Sequence, residues 1–376
     1  MENTNSKSAE QKKNSKNARK FIILGVEVVL LSAMLCLLWF VTKFTDEDEG
    51  IKKVEITTED IIINEGLQDK NEISTEEHVA VVEKEEKVDK YRTIALFGLD
   101  STIGELTSGT RSDTIMVATI DNSTKEVHIM SVYRDTYLNL GNDTYNKCNA
   151  AYARGGAKQA INMLNMNLDL DITDFVAVGF KGVMDTVNAI GGIYIDVDSD
   201  ELKHINNYQI SIADNLKTTY KPLTEPGYQL VDGIQATAYC RIRQVGNNDF
   251  KRTERQREVL QAILNEAKDI DVKTLTKLAE DVFGDFYTSV DLDEIVTLLS
   301  DLGSYTLVDE GGFPTQEYRT GATLGQNVGD SVICTDLEAA VAELHKKIYG
   351  VEEYVVTDTV KEIGATIAAN TKPYLQ

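Results

Sequence analysis

Between Phe21 and Val41 lie 21 residues whose one charge is Glu27. A helix of that length spans a hydrocarbon core of ~30 Å. A cleaved signal peptide is the competing reading. The apolar run is too long for it, and no small-x-small cleavage site comes after it. Cys36 comes after Leu35 rather than a small residue, which also disfavours a lipoprotein signal. The sequence therefore predicts one uncleaved transmembrane helix over residues 21–41. Lys7, Lys12, Lys13, Lys16, Arg19 and Lys20 precede it, whereas Lys43 is followed by Asp46, Glu47, Asp48 and Glu49. The positive-inside rule then predicts a basic cytoplasmic tail at 1–20, with the rest of the chain outside a cell membrane crossed once.

Beyond the anchor the chain changes character twice. Residues 42–88 are rich in Glu, Asp, Lys and Thr and poor in aromatics, and read as an acidic extracellular spacer. From residue 89 to 350 the pattern becomes that of a folded domain. Strands are expected at Thr93 to Phe97, Thr114 to Ile120, Val127 to Val132, Phe175 to Phe180, Ile193 to Val197 and Thr237 to Ile242. Helical spacing is expected from Asn149 to Leu164, from Val183 to Ile190 (closed by Gly191-Gly192) and from Asp249 to Lys268. Further helices are expected near 273–283, 291–302 and 336–348, with short strands near 305–308 and 332–335. Strands interleaved with helices predict an α/β domain, layered α-β-α around a central mixed sheet. Residues 351–376 form a tail with no assignment.

Charge excludes one class of partner. With 38 Lys+Arg against 61 Asp+Glu, the net charge is -23. A general nucleic-acid binder needs a basic footprint that this chain lacks. Cys36, Cys148, Cys240 and Cys334 form no CxxC pair and have no histidine at metal spacing. A Cys148–Cys240 bridge is open, with buried thiols the better reading. GxSxG, HExxH and P-loop signatures are absent, and His78, His128, His204 and His345 stand apart from one another.

Against this acidic background, five arginines fall between residues 241 and 257. Arg241 and Arg243, two apart in an expected strand, would share a face. Arg252, Arg255 and Gln256, three and four apart in an expected helix, would share another, with Asp249 as its N-cap. Guanidinium forks match phosphate oxygens bidentately, so several on one spot imply a multiply charged anion such as a pyrophosphate. The competing reading makes them surface partners of local carboxylates. Asp100, Arg111-Ser112-Asp113 and Arg134-Asp135 fall at the ends of expected strands, where charges can line one rim of a sheet. Asp100 and Asp113 could hold Mg²⁺ together with substrate phosphate oxygens. Turn and cap duty is the alternative for both.

These segments carry a resemblance. Arg111-Ser112-Asp113-Thr114, Ser131-Val132-Tyr133-Arg134-Asp135-Thr136 and Asn146-Lys147-Cys148-Asn149-Ala150-Ala151-Tyr152 come first. Ala189-Ile190-Gly191-Gly192, Leu230-Val231-Asp232-Gly233, Tyr239-Cys240-Arg241-Ile242-Arg243 and Asp249-Phe250-Lys251-Arg252-Thr253-Glu254-Arg255-Gln256 come next, in that order. The chain resembles the LytR-CpsA-Psr family from about residue 91 to 266, and more weakly to 349. The resemblance implies a phosphotransferase that attaches a polyprenyl-pyrophosphate-linked glycopolymer, such as teichoic acid or capsular polysaccharide, to peptidoglycan through a phosphodiester. It implies Mg²⁺ on Asp100 and Asp113. It also implies a pyrophosphate held by Arg111, Arg134, Arg241, Arg243, Arg252 and Gln256, with Asp135, Asp249 and Arg255 around that shell. The polyprenyl tail would enter an apolar pocket between sheet and helices. Asp113, Arg134, Asp135, Arg241 and Arg243 are the expected catalytic set, with Asp135 or an Mg²⁺-bound carboxylate as a candidate base. Tyr133 and Lys251 stand where the family often has proline and glycine. A regulatory or lipid-pyrophosphate-binding protein and a polyprenyl-pyrophosphate hydrolase are the alternatives.

Overall fold

The structure is a computed structural model that describes residues 56, 58–67, 90–101, 106–246, 248–282, 285–290 and 302–375. The expected membrane helix at 21–41 and the expected helix near 291–302 lie outside the described residues. Among the described residues, no helix is long and apolar enough to cross a membrane.

Strands β1 (Tyr91–Leu99), β2 (Ser112–Asp121) and β3 (Glu126–Val132) form an antiparallel meander. A ribbon of β4 (Tyr137–Asn139) and β5 (Tyr145–Lys147) leads into helix α1 (Ala150–Leu168). Strand β6 (Asp174–Val178), helix α2 (Phe180–Ala189), strand β7 (Ile193–Val197) and helix α3 (Ser199–Leu216) come next. Then come β8 (Gly227–Val231), α4 (Gly233–Cys240), α5 (Asn248–Lys268), α6 (Val272–Val282) and β9 (Phe286–Thr288). The chain closes with β10 (Thr306–Phe313), β11 (Arg319–Leu324), β12 (Gly329–Cys334), α7 (Leu337–Tyr349) and α8 (Asp358–Thr371).

Six strands share one mixed sheet in the order β10-β3-β2-β1-β6-β9, with β6 and β10 parallel to β1 and β3. Sheet strands covered on both sides need apolar residues at consecutive positions. In β1 the two sets separate by parity. Ile94 and Leu96 join a core with helices α2 to α5, while Ala95, Phe97 and Leu99 join a second core with α1, α7 and α8. The layered α-β-α reading with a mixed central sheet holds.

Two expectations change here. The expected strand from Thr237 to Ile242 is the end of helix α4 and the turn after it. The Asp232 side chain accepts from Gln235 N at the helix start, and the Gln235 side chain returns to Asp232 N, a reciprocal cap that nucleates a helix from β-prone residues. The stretch from 58 to 67, composed like a spacer, packs against α1. Ile61 is buried, and Ile62 N donates to Asn162 Oδ1 at 2.9 Å.

The unassigned tail is equally built in, since Val360, Ile363 and Ile367 of α8 are buried. One buried knot joins both ends of the described chain. Asp169 accepts from Asn64 Nδ2 at 2.6 Å, from Thr357 N at 2.8 Å and from Thr357 Oγ1 at 2.6 Å. Thr357 also caps α8. Thr357→Ala is therefore expected to lower unfolding free energy by about 1–2 kcal/mol, the worth of a cap and a buried hydrogen bond. Urea unfolding midpoints check it, and an unchanged midpoint would remove Thr357 from the knot.

Candidate active site

The bulge between Gly98 and Leu99 ends regular pairing of β1 with β2, and Asp100 N donates to Arg111 O at 3.2 Å just beyond it. That geometry sets Asp100 and Asp113 on one rim of the sheet. Across from them come the turn after α4 and the first turns of α5. Between sheet and helices lies a cavity of about 350 Å³. Its deep walls are apolar, including Leu96, Met116, Val183, Val259, Ile263 and Phe286. Its charged end carries Asp100, Asp113, Arg241, Arg243, Arg252 and Gln256.

Asp113 is the hub. Arg134 Nη1 donates to Asp113 Oδ1 at 2.6 Å, and Arg243 Nη2 donates to Oδ2 at 3.0 Å. Arg252 Nη2 reaches the Asp113 carbonyl at 3.2 Å. Asp249 is the second hub, 3.1 Å from Arg252 Nη1, 3.5 Å from Arg243 Nε and 3.7 Å from Arg134 Nε. Burial alone would raise the Asp249 pKa, yet Arg252 and Arg134 outweigh it and hold the carboxyl below its ordinary value. Burial likewise works against the charge of Arg134, but Asp113, Asp135 and Asp249 raise its pKa. Arg252 is pushed down to about 10, first by burial and then against the pull of Asp249, so it stays charged at neutral pH. Arg134, Arg243 and Arg252 thus bracket Asp113 and Asp249, while Arg241 lines the cavity without an ion pair among the described residues and Arg134 stands just outside the lining.

Several polar atoms at this end have no partner. Arg241 Nη1, Arg252 Nε and Gln256 Oε1 are buried and make no hydrogen bond. Orphaned buried polar atoms are costly and mark a site built for something else to bind. Arg241 caps the C-terminal end of α4 and lies over the rings of Phe180 (4.6 Å) and Tyr208 (5.4 Å). Stacking holds the guanidinium without using its N–H donors.

Four expected positions behave differently. Arg255 does not line the cavity and is not an anion ligand in this structure. It is buried, with Nε on Glu201 Oε1 at 2.6 Å, Nη1 on the Ile242 carbonyl and Nη2 on the Val245 carbonyl. One residue further along the helix is about 100° of rotation, so Arg255 and Gln256 look different ways. Arg255 anchors the loop that carries Arg241 and Arg243. Arg111 is exposed just before β2 and is not among the lining residues. Asp135 lies behind Arg134, 3.4 Å from its Nε and 3.2 Å from Lys147 Nζ, and does not line the cavity. It steadies Arg134. Asp249 falls inside the first turn of α5, which begins at Asn248, so it is a partner of arginines rather than the N-cap.

Sequence reasoning misses a clamp on the outer rim. Arg319 lies over the Phe250 ring at 3.9 Å and the Tyr133 ring at 4.9 Å, and donates to Tyr133 Oη at 3.0 Å. Tyr133 and Phe250 meet edge to face at 4.5 Å. This packing fixes the turn before Arg134 against the start of α5. Phe250 and Tyr133 flank charged motif residues, but no local signal ties them to Arg319, which comes from β11. Cys148, Cys240 and Cys334 are free thiols, so the open Cys148–Cys240 bridge is absent. Burial pushes the Cys240 and Cys334 thiols up to about 12.

Fold and site together define a layered α/β protein with an arginine-rimmed, apolar-walled cavity. The chain belongs to the LytR_cpsA_psr family, whose model matches residues 57–324. It is similar to the polyisoprenyl-teichoic acid–peptidoglycan teichoic acid transferase TagV of Bacillus subtilis, 30% identical, covering 52% of this chain and 49% of that protein. The transferase of the same description named TagU in Enterococcus faecalis is 29% identical, covering 56% and 66%. Biofilm regulatory protein A of Streptococcus mutans is 31% identical, covering 53% and 50%. The matched part is thus about half the length of the first of these relatives. Among solved structures, TagT bound to LIIa-WTA superposes with a TM-score of 0.55 at 23% identity, covering 71% of this chain and 95% of that one. Bacillus subtilis TagV gives 0.53 at 25% identity, covering 70% and 98%. The likeness to TagT is one of fold.

Proposed function

We propose that this chain transfers a glycopolymer from a polyprenyl-pyrophosphate carrier to peptidoglycan, forming a phosphodiester. The observation that carries the reading is the two-part cavity. Partnerless N–H groups of Arg241 and Arg252 gather at one end, and apolar walls make up the rest. A pyrophosphate with a polyprenyl tail has the same division. The names of the relatives, teichoic acid transferases acting between polyisoprenyl carriers and peptidoglycan, support it.

In the reaction an acceptor hydroxyl oxygen attacks the sugar-side phosphorus and forms the new P–O bond. The bridging P–O bond of the pyrophosphate breaks, the lipid phosphate leaves with that electron pair, and the hydroxyl proton goes to a base. Arg134, Arg241, Arg243 and Arg252 hold and neutralise the phosphate oxygens as charge shifts to the leaving group. Arg252 and Arg243 also hold Asp113 in place.

Two carboxylates on one rim, with a multiply charged phosphate ligand, suit Mg²⁺, which keeps few protein ligands. Asp100 and Asp113 would hold it, and it would supply charge neutralisation on the phosphates. Asp113 would have to release part of its arginine contact to do so. The anchor over residues 21–41 would place this domain outside the cell membrane, N-terminus inside, beside a lipid-borne donor.

The test incubates the full chain in detergent with lipid-linked glycan, peptidoglycan fragments and Mg²⁺. The expected product is a glycan–peptidoglycan phosphodiester plus polyprenyl phosphate, strongly reduced by a chelator. Release of free glycan phosphate at the same rate with and without acceptor would replace transfer by hydrolysis. No turnover of any donor would sink both.

A further inference from the structure

The β7–β8 ribbon keeps its pattern on one face and breaks it on the other. Ile193, Ile195, Val197 and Val231 point inward and are buried. On the outer face, Tyr194 is opposite Leu230 and Asp196 is opposite Tyr228. Solvated faces of antiparallel ribbons carry polar residues as a rule. Here Tyr194 is 43% exposed, Tyr228 73% and Leu230 50%, leaving Asp196 as the polar exception. The two tyrosine rings stack, with centroids 5.3 Å apart and planes 19° from parallel. Stacked on each other, they form an aromatic platform whose open ring surface is chiefly that of Tyr228, the more exposed of the two. Leu230 also borders a second cavity of about 460 Å³, whose polar wall includes Lys221, Thr224, Gln229, Asp232 and Gln235.

A sugar ring has the matching chemistry. One face is a set of C–H groups, which lie well on the negative face of an aromatic ring, and its rim is a set of hydroxyls that seek polar partners. A partner helix or a lipid surface would need a broader continuous apolar area than two rings and one leucine. Charge narrows the choice again. The ribbon's outer face offers Asp196 and no cation, and the cavity beside it sets Lys221 against Asp232, so neither presents net positive charge to a phosphate-rich polymer.

We infer that this ribbon and the cavity beside it bind uncharged sugar rings. Naming that glycan as the acceptor strand, rather than the anionic cargo, rests on the proposed transfer activity; the binding itself does not.

The test titrates full chain in detergent with chitooligosaccharides, followed by ligand-observed NMR and tyrosine fluorescence. A glycerol-phosphate polymer and a polyprenyl pyrophosphate serve as separate ligands. Saturable binding of the neutral sugar is expected, weakened about tenfold or more in Tyr228→Ala and Tyr194→Ala and retained in Tyr228→Phe. Arg241→Ala should lose the pyrophosphate ligand and keep the sugar. Loss of pyrophosphate binding in wild type would sink the transfer reading and leave the platform standing. Absent sugar binding, sugar binding indifferent to both tyrosines, or stronger binding of the polyanion would overturn the platform. A Tyr228→Ala change in sedimentation without one in sugar binding would reassign the face to a second copy of the chain.

Discussion

Arg241→Ala is expected to lower transfer from a lipid-pyrophosphate donor by about 100- to 1000-fold, the cost of losing one preorganised donor to a charged transition state. Its melting temperature should stay close to that of the parent. Both halves follow from the same geometry. Arg241 forms no ion pair among the described residues, its Nη1 is buried without a partner, and its guanidinium rests on Phe180 and Tyr208. Removing it deletes an unsatisfied group along with some stacking, so folding loses little. The ligand loses a donor held in place beforehand. Arg243→Ala should cost less, because Arg243 is 41% exposed, where solvent screens its charge. Arg241→Lys should recover only part of the loss, since an ammonium cannot reproduce the fork. Steady-state kcat/KM with a labelled donor, beside thermal unfolding of the same samples, decides it. Wild-type rates in Arg241→Ala would remove this residue from the site.

Sequence patterning reaches the site by a partly mistaken route. Arg241 and Arg243 do meet near one cavity, but strand alternation is not the reason. They leave the end of a helix and the turn after it. An eight-residue helix buried nearly all round shows no 3.6-residue stripe, and Thr-Ala-Tyr-Cys reads as strand by propensity. The Asp232-x-x-Gln235 cap is the available signal. Helix α3, absent from the expected elements, starts with the same kind of cap, Asp198 with Glu201. What is legible is whatever repeats locally: the apolar runs of β1 to β3, the long stripe of α5, and charged residues at strand ends. The illegible part depends on distant chain. Strand β10 pairs with β3 across more than 170 residues, and Arg319 arrives at Phe250 from β11.

Arg255 shows why helical spacing alone misassigns a charge, and its removal should be among the most damaging single changes in the domain. Its side chain is 0% exposed and that of Glu201 is 3% exposed. Deleting one member of such a buried pair leaves the other charged and unpaired, at a cost of about 3–5 kcal/mol. Arg255→Ala would also strand the carbonyls of Ile242 and Val245. Denaturant unfolding should therefore show a large loss of stability, with activity falling as the folded fraction falls. The double variant Arg255→Met with Glu201→Leu separates structure from chemistry. Apolar replacement of both charges should recover the part of the loss due to the unpaired Glu201 carboxylate, while the two carbonyls and the Asp198 backbone N–H stay without their partners. Transfer should stay low, because the loop bearing Arg241 and Arg243 has lost the two hydrogen bonds that place it. If the double variant regained both stability and full turnover, the loop would be holding itself and Arg255 would be a packing residue without a positioning role. If it regained turnover while remaining unstable, the buried ion pair would matter to folding for reasons other than desolvation.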